Sequence, residues 1–317
     1  MTKQAVQFSK KRRTTYRFQK VKLCKKCNRY SVLKDEYCPA CGSLFIGVET
    51  LGNSLSKRRL FTEVSWIILF VSIGVFFAPT RHTLYYSLIV GLIFCLTYIV
   101  LTFVFMKSEY FHELKKLLRV DLKKIKTGIW FDSDLAKEDV KAERLADGYD
   151  KLREIGDFIK SDAMKQSQVM VLNRIALRSD MELELEGLIP TSYDKHFVKY
   201  ALEVLKINRT LMTKKCIVYF IRYRDAIVVD FGIDSLLSVA CMTLRMKLYI
   251  LEFSEFIEEY LDYFPKERVL RLYSIIYSNP DIEWGSLAEK TKRVVAMKYY
   301  YDPDFKPFME RKQVLTN

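Results

Sequence analysis

Two apolar runs separated by five residues constrain this chain more than any other feature. Residues 61–78 hold one acid, Glu63, and residues 84–106 hold no charged residue. At about 1.5 Å per residue, runs of 18 and 23 residues reach roughly 27 and 34 Å, close to the ~30 Å hydrocarbon thickness of a bilayer. The intervening Pro79-Thr80-Arg81-His82-Thr83 is short enough only for a tight turn. A buried hairpin in a soluble core is the alternative. Against it, the second run has Ser87, Thr97 and Thr102 as its only strongly polar residues, and Trp66, Tyr85 and Tyr86 lie near the ends, where amphipathic rings favour the headgroup level. The reading is a transmembrane helical hairpin over 61–106. About 60 polar and basic residues precede it, which argues against a cleavable signal peptide.

The basic residues set the expected orientation. Residues 1–60 carry fifteen Lys and Arg against three acids, and residues 107–126 carry seven against three. The connecting turn carries only Arg81. Flanks rich in Lys and Arg stay on the cytoplasmic side, so both termini are expected in the cytoplasm, of a bacterial plasma membrane. The formal +14 of the chain is therefore localised: residues 127–317 are close to neutral. A basic arm suits an anionic partner, either lipid headgroups or nucleic-acid phosphates. The residues read as its contacts are Lys10, Lys11, Arg12, Arg13 and Arg17, with Lys25 and Lys26. Topology setting alone is the competing use.

Four of the seven cysteines form two pairs, Cys24/Cys27 and Cys38/Cys41, with ten residues between the inner two. Two residues between thiols let one tight turn present both sulfurs to a metal, and two such turns complete a tetrahedron. In a reducing compartment, paired CxxC units indicate metal rather than disulfides. The second pair reads Cys-Pro-Ala-Cys-Gly and resembles the CPxCG knuckle of the zinc-ribbon superfamily, over about residues 22–46 only. The resemblance implies one structural Zn2+ held by Cys24, Cys27, Cys38 and Cys41. Gly42 follows the second knuckle, where positive φ is needed. Lys25, Lys26 and Asn28 stand in the first knuckle where the commonest pattern has small residues and glycine. A closed four-thiolate site leaves no position for water and is not catalytic. Lys22, Lys25, Lys26, Arg29 and Tyr30 would make a basic–aromatic face on the ribbon.

The chain is thus expected as a mainly α integral membrane protein. Its parts are a basic arm (1–21), the zinc ribbon (22–46), a linker (47–60), the hairpin (61–78 and 84–106), a basic juxtamembrane amphipathic helix (107–126) and an all-α, alternatively α+β, cytoplasmic domain (127–317). The juxtamembrane helix either lies on the membrane or continues the second span. Beyond it, helices are expected over about 134–160 and 163–178, one capped by Ser192 and running to about Ile207, then from Asp234 to Phe264, Pro265 to Tyr277 and a last one capped by Ser286 and running to about Tyr301. Residues 214–231 favour a helix over a hairpin, because Arg224-Asp225 lacks the glycine that a two-residue turn prefers. Residues 181–186 fit a short strand or a helix end equally.

No catalytic constellation stands out. His112-Glu113 opens like a HExxH helix, but position 116 is lysine, and the eleven glycines nowhere form GxGxxG or GxxxxGK. Asp132/Asp134 and Asp302/Asp304 sit where helix starts and turns need aspartate. Binding rather than chemistry is the expected mechanism: a membrane-anchored adaptor or regulator, with protein partners and the bilayer, and no small-molecule substrate implied. The alternatives are a membrane-tethered nucleic-acid binder and a helical membrane-associated enzyme.

Overall fold

The structure is a computed structural model that describes residues 3–12, 14–77 and 80–305. It is mostly helical, with one small sheet near the N-terminus. The chain divides into two compact units, residues 9–160 and residues 161 onward together with the stretch up to Phe8. The boundary expected at 127 therefore falls at 160, and the helices of 122–156 group with the ribbon and hairpin.

In the first unit, β1 (Lys22–Cys24), β2 (Arg29–Ser31) and β3 (Ile46–Gly47) form an antiparallel sheet in the order β2-β1-β3. Helix α1 (Val48–Phe76) starts directly after β3, and α2 (Arg81–Val120) returns alongside it. Of the expected linker 47–60, Gly47 ends β3 and residues 48–60 are the opening turns of α1. Gly52, Asn53 and Ser54 are weak helix formers, but packing overrides them. Gly52 is buried where α1 meets α2, and a Cβ on it would stand 2.8 Å from Cε2 of Tyr110. Gly91 meets Val71 in the same way, with 2.9 Å to Cγ2. Small residues at such points let apolar helices approach closely. Ala78, the end of the first run, and Pro79 of the expected turn lie outside the described residues; α2 begins at Arg81, inside that turn. The acid within the first apolar run is partnered inside the hairpin. Glu63 accepts from Arg59 Nε at 2.7 Å and from the Tyr98 hydroxyl at 2.5 Å.

Of the two courses open to residues 107–126, the structure takes the continuous one. α2 runs through to Val120, burying Leu114 and Leu118 while Lys115, Lys116 and Arg119 face solvent. The helix expected over 134–160 is two helices, α3 (Leu122–Lys141) and α4 (Leu145–Gly156). The chain reverses at Glu143, whose φ is +62°. Gly148 lets α4 fold back, since a Cβ there would lie 2.5 Å from Cγ2 of Val140.

Residues 9–20, expected as a free arm, are tied to α4. The Ser9 amide donates to Asp150 Oδ2 at 3.0 Å, and Arg153 donates to the Ser9 carbonyl at 2.6 Å. Lys20 is buried, its Nζ 2.6 Å from Glu154 Oε2 and 2.5 Å from Asp157 Oδ2. Burial alone would raise Asp157, but Lys20 and Lys11 hold it below the usual carboxylate range. Removing one partner of a buried pair strands the other charge. Lys20→Met is expected to destabilise this unit by about 3 kcal/mol, with much of that recovered in the Lys20→Met/Glu154→Met double variant. Thermal melts of the two proteins in one detergent check it. Equal losses would show that the pair, rather than the stranded carboxylate, carries the energy.

The second unit holds α5 (Asp162–Leu172), α6 (Lys195–Ile207), α7 (Lys214–Arg222), α8 (Arg224–Phe231), α9 (Ile233–Thr243), α10 (Lys247–Glu252), α11 (Ser254–Tyr260), α12 (Lys266–Tyr277) and α13 (Ser286–Lys298). Its core includes Phe197, Val204, Phe220, Leu236, Ile257 and Leu272. Residues 214–231 are helical but broken at Tyr223. Gly232, at φ +77°, ends α8. The long helix expected from Asp234 to Phe264 is three short ones, interrupted after Thr243 and at Phe253. α6 is capped by Asp194, which accepts from the Phe197 amide at 2.9 Å, rather than by Ser192. Ser286 does not cap α13; its hydroxyl donates to Glu258 Oε1 at 2.7 Å. Residues 181–185 form no strand and lead into a 3-10 turn at Glu186–Leu188.

Candidate metal centre

β1 ends on Cys24, and the chain turns through Cys27 to begin β2 at Arg29, paired opposite Cys24. A left-handed residue is needed to close this knuckle, and Asn28 supplies it at φ +53°. Asparagine tolerates that region better than most side chains, which explains how the knuckle forms without glycine. The second knuckle is closed by its own backbone. The Cys41 and Gly42 amides donate to the Cys38 carbonyl at 3.3 and 2.8 Å, and the Cys38 amide donates to the Ser43 carbonyl at 2.9 Å. Gly42 takes φ +66°, as the sequence requires.

The four sulfurs converge. Cys24 and Cys41 Sγ are 3.3 Å apart, Cys27 and Cys38 3.5 Å, Cys27 and Cys41 3.9 Å, and all four lie within 4.8 Å of one another. These separations exceed a disulfide's S–S length and bracket the edge of about 3.8 Å that a Zn–S distance of ~2.3 Å gives a tetrahedron. Cys24 and Cys38 are buried and Cys27 is exposed. Hydrogen bonds from the Ser43 backbone and hydroxyl draw the Cys41 thiol down to about 6, which readies a thiolate. The donor set is soft and closed, so it fits Zn2+ in a structural role.

The ribbon does not stand alone; β2 is keyed into α3. The Tyr30 hydroxyl donates to Asp121 Oδ2 at 2.6 Å. The Ser31 hydroxyl and the Val32 amide both donate to Asp132 Oδ2, at 3.0 and 2.8 Å. The Arg29 guanidinium lies 3.8 Å over the Phe131 ring. α3 passes so close at Gly128 that a Cβ there would meet the Tyr30 carbonyl oxygen at 2.0 Å. The basic–aromatic face expected from Arg29 and Tyr30 is thus turned inward. Asp132 is not at a helix start; it is buried within α3 and receives the ribbon. Asp121, Gly128 and Ser43 were not singled out from the sequence. Gly128 had a visible signal, being a glycine between the apolar positions Ile125 and Ile129 of a helical pattern.

The anion-contact residues are scattered. Lys25 and Lys26 are exposed beside Cys27, and Lys10 and Arg12 are exposed on the arm. Lys11 pairs with Asp157 at 3.3 Å, and Lys22 Nζ donates to the Lys34 and Asp35 carbonyls at 3.0 Å. Arg13 and the side chain of Arg17 lie outside the described residues. Of the acidic pairs, Asp302 and Asp304 serve a turn, bound by Lys266 at 2.5 and 2.7 Å. In comparisons with protein-family models, curated proteins and solved structures, nothing matched the chain. The knuckle assignment therefore rests on the four sulfurs themselves.

Burial pushes Asp132 up from 3.8 to about 6. A carboxyl raised in the folded state stabilises most below pH 4, and that contribution is lost as pH rises through 6, a span of about 3 kcal/mol. Asp132→Asn keeps an oxygen for Ser31 and Val32 but cannot ionise. It is expected to be at least as stable as the native protein at pH 7, with native gaining on it toward pH 4. Melts of both proteins from pH 4 to 7 read this; a constant offset across that range would refute it.

Proposed function

We propose that this chain is a membrane-anchored adaptor facing the cytoplasm, which presents a zinc-stiffened ribbon at a defined height above the bilayer and recruits protein partners through the ribbon and the helical unit. The observation that carries this reading is the keying of β2 into α3, the helix that directly follows α2. A module meant to search freely would sit on a loose tether; this one is locked to the stem of the hairpin. Two features support the anchor. α1 and α2 are long and apolar enough to cross a bilayer, and Phe61, Trp66, Phe70, Tyr86, Ile89 and Leu92 are all exposed, apolar surface of the kind that a bilayer would cover. Glu63, the one acid within the apolar runs 61–78 and 84–106, is bonded within the hairpin, as an ionisable group in lipid requires.

The test has two parts. A cysteine at Thr80 is expected to react with an impermeant thiol reagent added to intact cells, while one at Lys25 reacts only after lysis. The reverse would invert the topology. For the partner, a photo-crosslinking residue at Lys26 is expected to yield one defined protein adduct that disappears in Cys38→Ser. Nucleic-acid adducts there, together with binding that survives physiological salt and fails when Lys10, Lys11 and Arg12 become glutamate, would replace the adaptor reading with the nucleic-acid one.

A further inference from the structure

The helical unit contains a groove that the adaptor reading does not use. It lies between α6, α9 and α12, encloses about 490 Å³, and falls within the size range of small-molecule sites. Leu202, Leu205, Phe231 and Met242 make its wall apolar. Lys206 on α6, Arg209 just beyond it and Arg268 in the first turn of α12 also line it, against one acid, Asp234. None of these three cations makes an ion pair among the described residues, and Lys206 and Arg209 are exposed. Three cations beside an apolar wall, against the single carboxylate of Asp234, leave the groove net positive and favour an anion.

We propose that this groove binds a single-chain anionic amphiphile, with the alkyl tail along the apolar wall and a phosphate or carboxylate head among Lys206, Arg209 and Arg268. An extended alkyl chain fits along the apolar wall of this groove, and the cations at its margin select an anionic head. Apolar wall and cation cluster together require both parts of the ligand: the tail supplies affinity, up to about fourfold per buried methylene, and the head supplies selection.

Cys241 lines the groove and is partly exposed, so it reports occupancy. Full-length protein in zwitterionic nanodiscs would be alkylated with N-ethylmaleimide, and modification of the Cys241 peptide followed by mass spectrometry. Decyl phosphate below its micellar concentration is expected to slow labelling at least fivefold, and hexyl phosphate to do so only at much higher concentration. Inorganic phosphate and decyl maltoside are expected to leave the rate unchanged. Lys206→Glu/Arg268→Glu, whose unliganded labelling is slower because Arg268 favours the Cys241 thiolate, should show no further slowing with decyl phosphate. Arg268→Gln, which keeps the packed stem, serves if charge reversal alters the helical circular dichroism. Equal protection by decyl maltoside, protection by phosphate alone, stronger protection by an acidic amphipathic peptide, or none at all would each overturn the proposal.

Discussion

Cys38→Ser is expected to abolish near-stoichiometric zinc in the purified protein and to unfold the ribbon with it. Structural zinc supplies about 10–16 kcal/mol of apparent binding free energy in small ribbons and fingers, more than a three-stranded sheet of this size gains from burial. Cys38 is buried, so serine there removes a thiolate from the interior of the site, although the backbone bonds that close the second knuckle remain. Cys27 is exposed, and Cys27→Ser is expected to retain weak, chelator-labile zinc. The effect should spread beyond the sheet. Without an ordered β2, Asp121 and Asp132 lose the partners that Tyr30, Ser31 and Val32 provide. Metal analysis paired with hydrogen exchange therefore has a definite expectation: zinc removal speeds exchange in β1–β3 and also in α3 around Gly128. Chelation that strips the metal while α3 stays protected would show the ribbon to be an independent module and would sink the keyed arrangement.

Gly128→Val is expected to pull the ribbon off α3 while leaving the four cysteines intact. A Cβ at this position would stand 2.0 Å from the Tyr30 carbonyl oxygen, 2.8 Å from its carbon and 3.2 Å from its Cα. Every one of these atoms is backbone, so no side chain can rotate away; the helix or the strand must shift. Overpacking usually costs about 1–3 kcal/mol, and backbone against backbone belongs at or above the top of that range. Gly128→Ala should give much the same result, because the first added carbon causes the clash. Gly187→Ala, whose Cβ would meet nothing nearer than 3.8 Å, is the matched control and should be close to neutral. The readout is zinc content together with cysteine reactivity. Gly128→Val is expected to keep its zinc yet expose Tyr30 and Arg29, with faster exchange at the Val32 amide. Native exchange at Val32 would mean that α3 and β2 do not meet as described.

The balance between what was legible and what was not follows one line. Residues 24–41 were readable because metal ligation needs four thiols at fixed local spacings, and local spacing is what a sequence states directly. The two long apolar helices were readable because length and composition belong to a single segment. Helix ends were read less well. Asp194 rather than Ser192 caps α6, and the stretch from Asp234 to Phe264 breaks twice, since neighbouring side chains compete for each cap and each break is settled by packing. Gly52 illustrates the same point: a glycine among Asn53 and Ser54 signals a linker, and a tyrosine 58 residues away makes it the contact point of two helices.

By itself the sequence determined the cluster of four cysteines, the two apolar helices and the mainly helical character of the rest, each decided by interactions that act within a few residues or by composition over one segment. Only the tertiary structure decided that the ribbon rests on α3 through Tyr30, Gly128 and Asp132, that the basic arm is held by Glu154 and Asp157, and that Lys206, Arg209 and Arg268 face one groove. Those outcomes depend on contacts between residues far apart in the chain, where the energy belongs to a pair or a cluster and neither partner alone carries a mark of it.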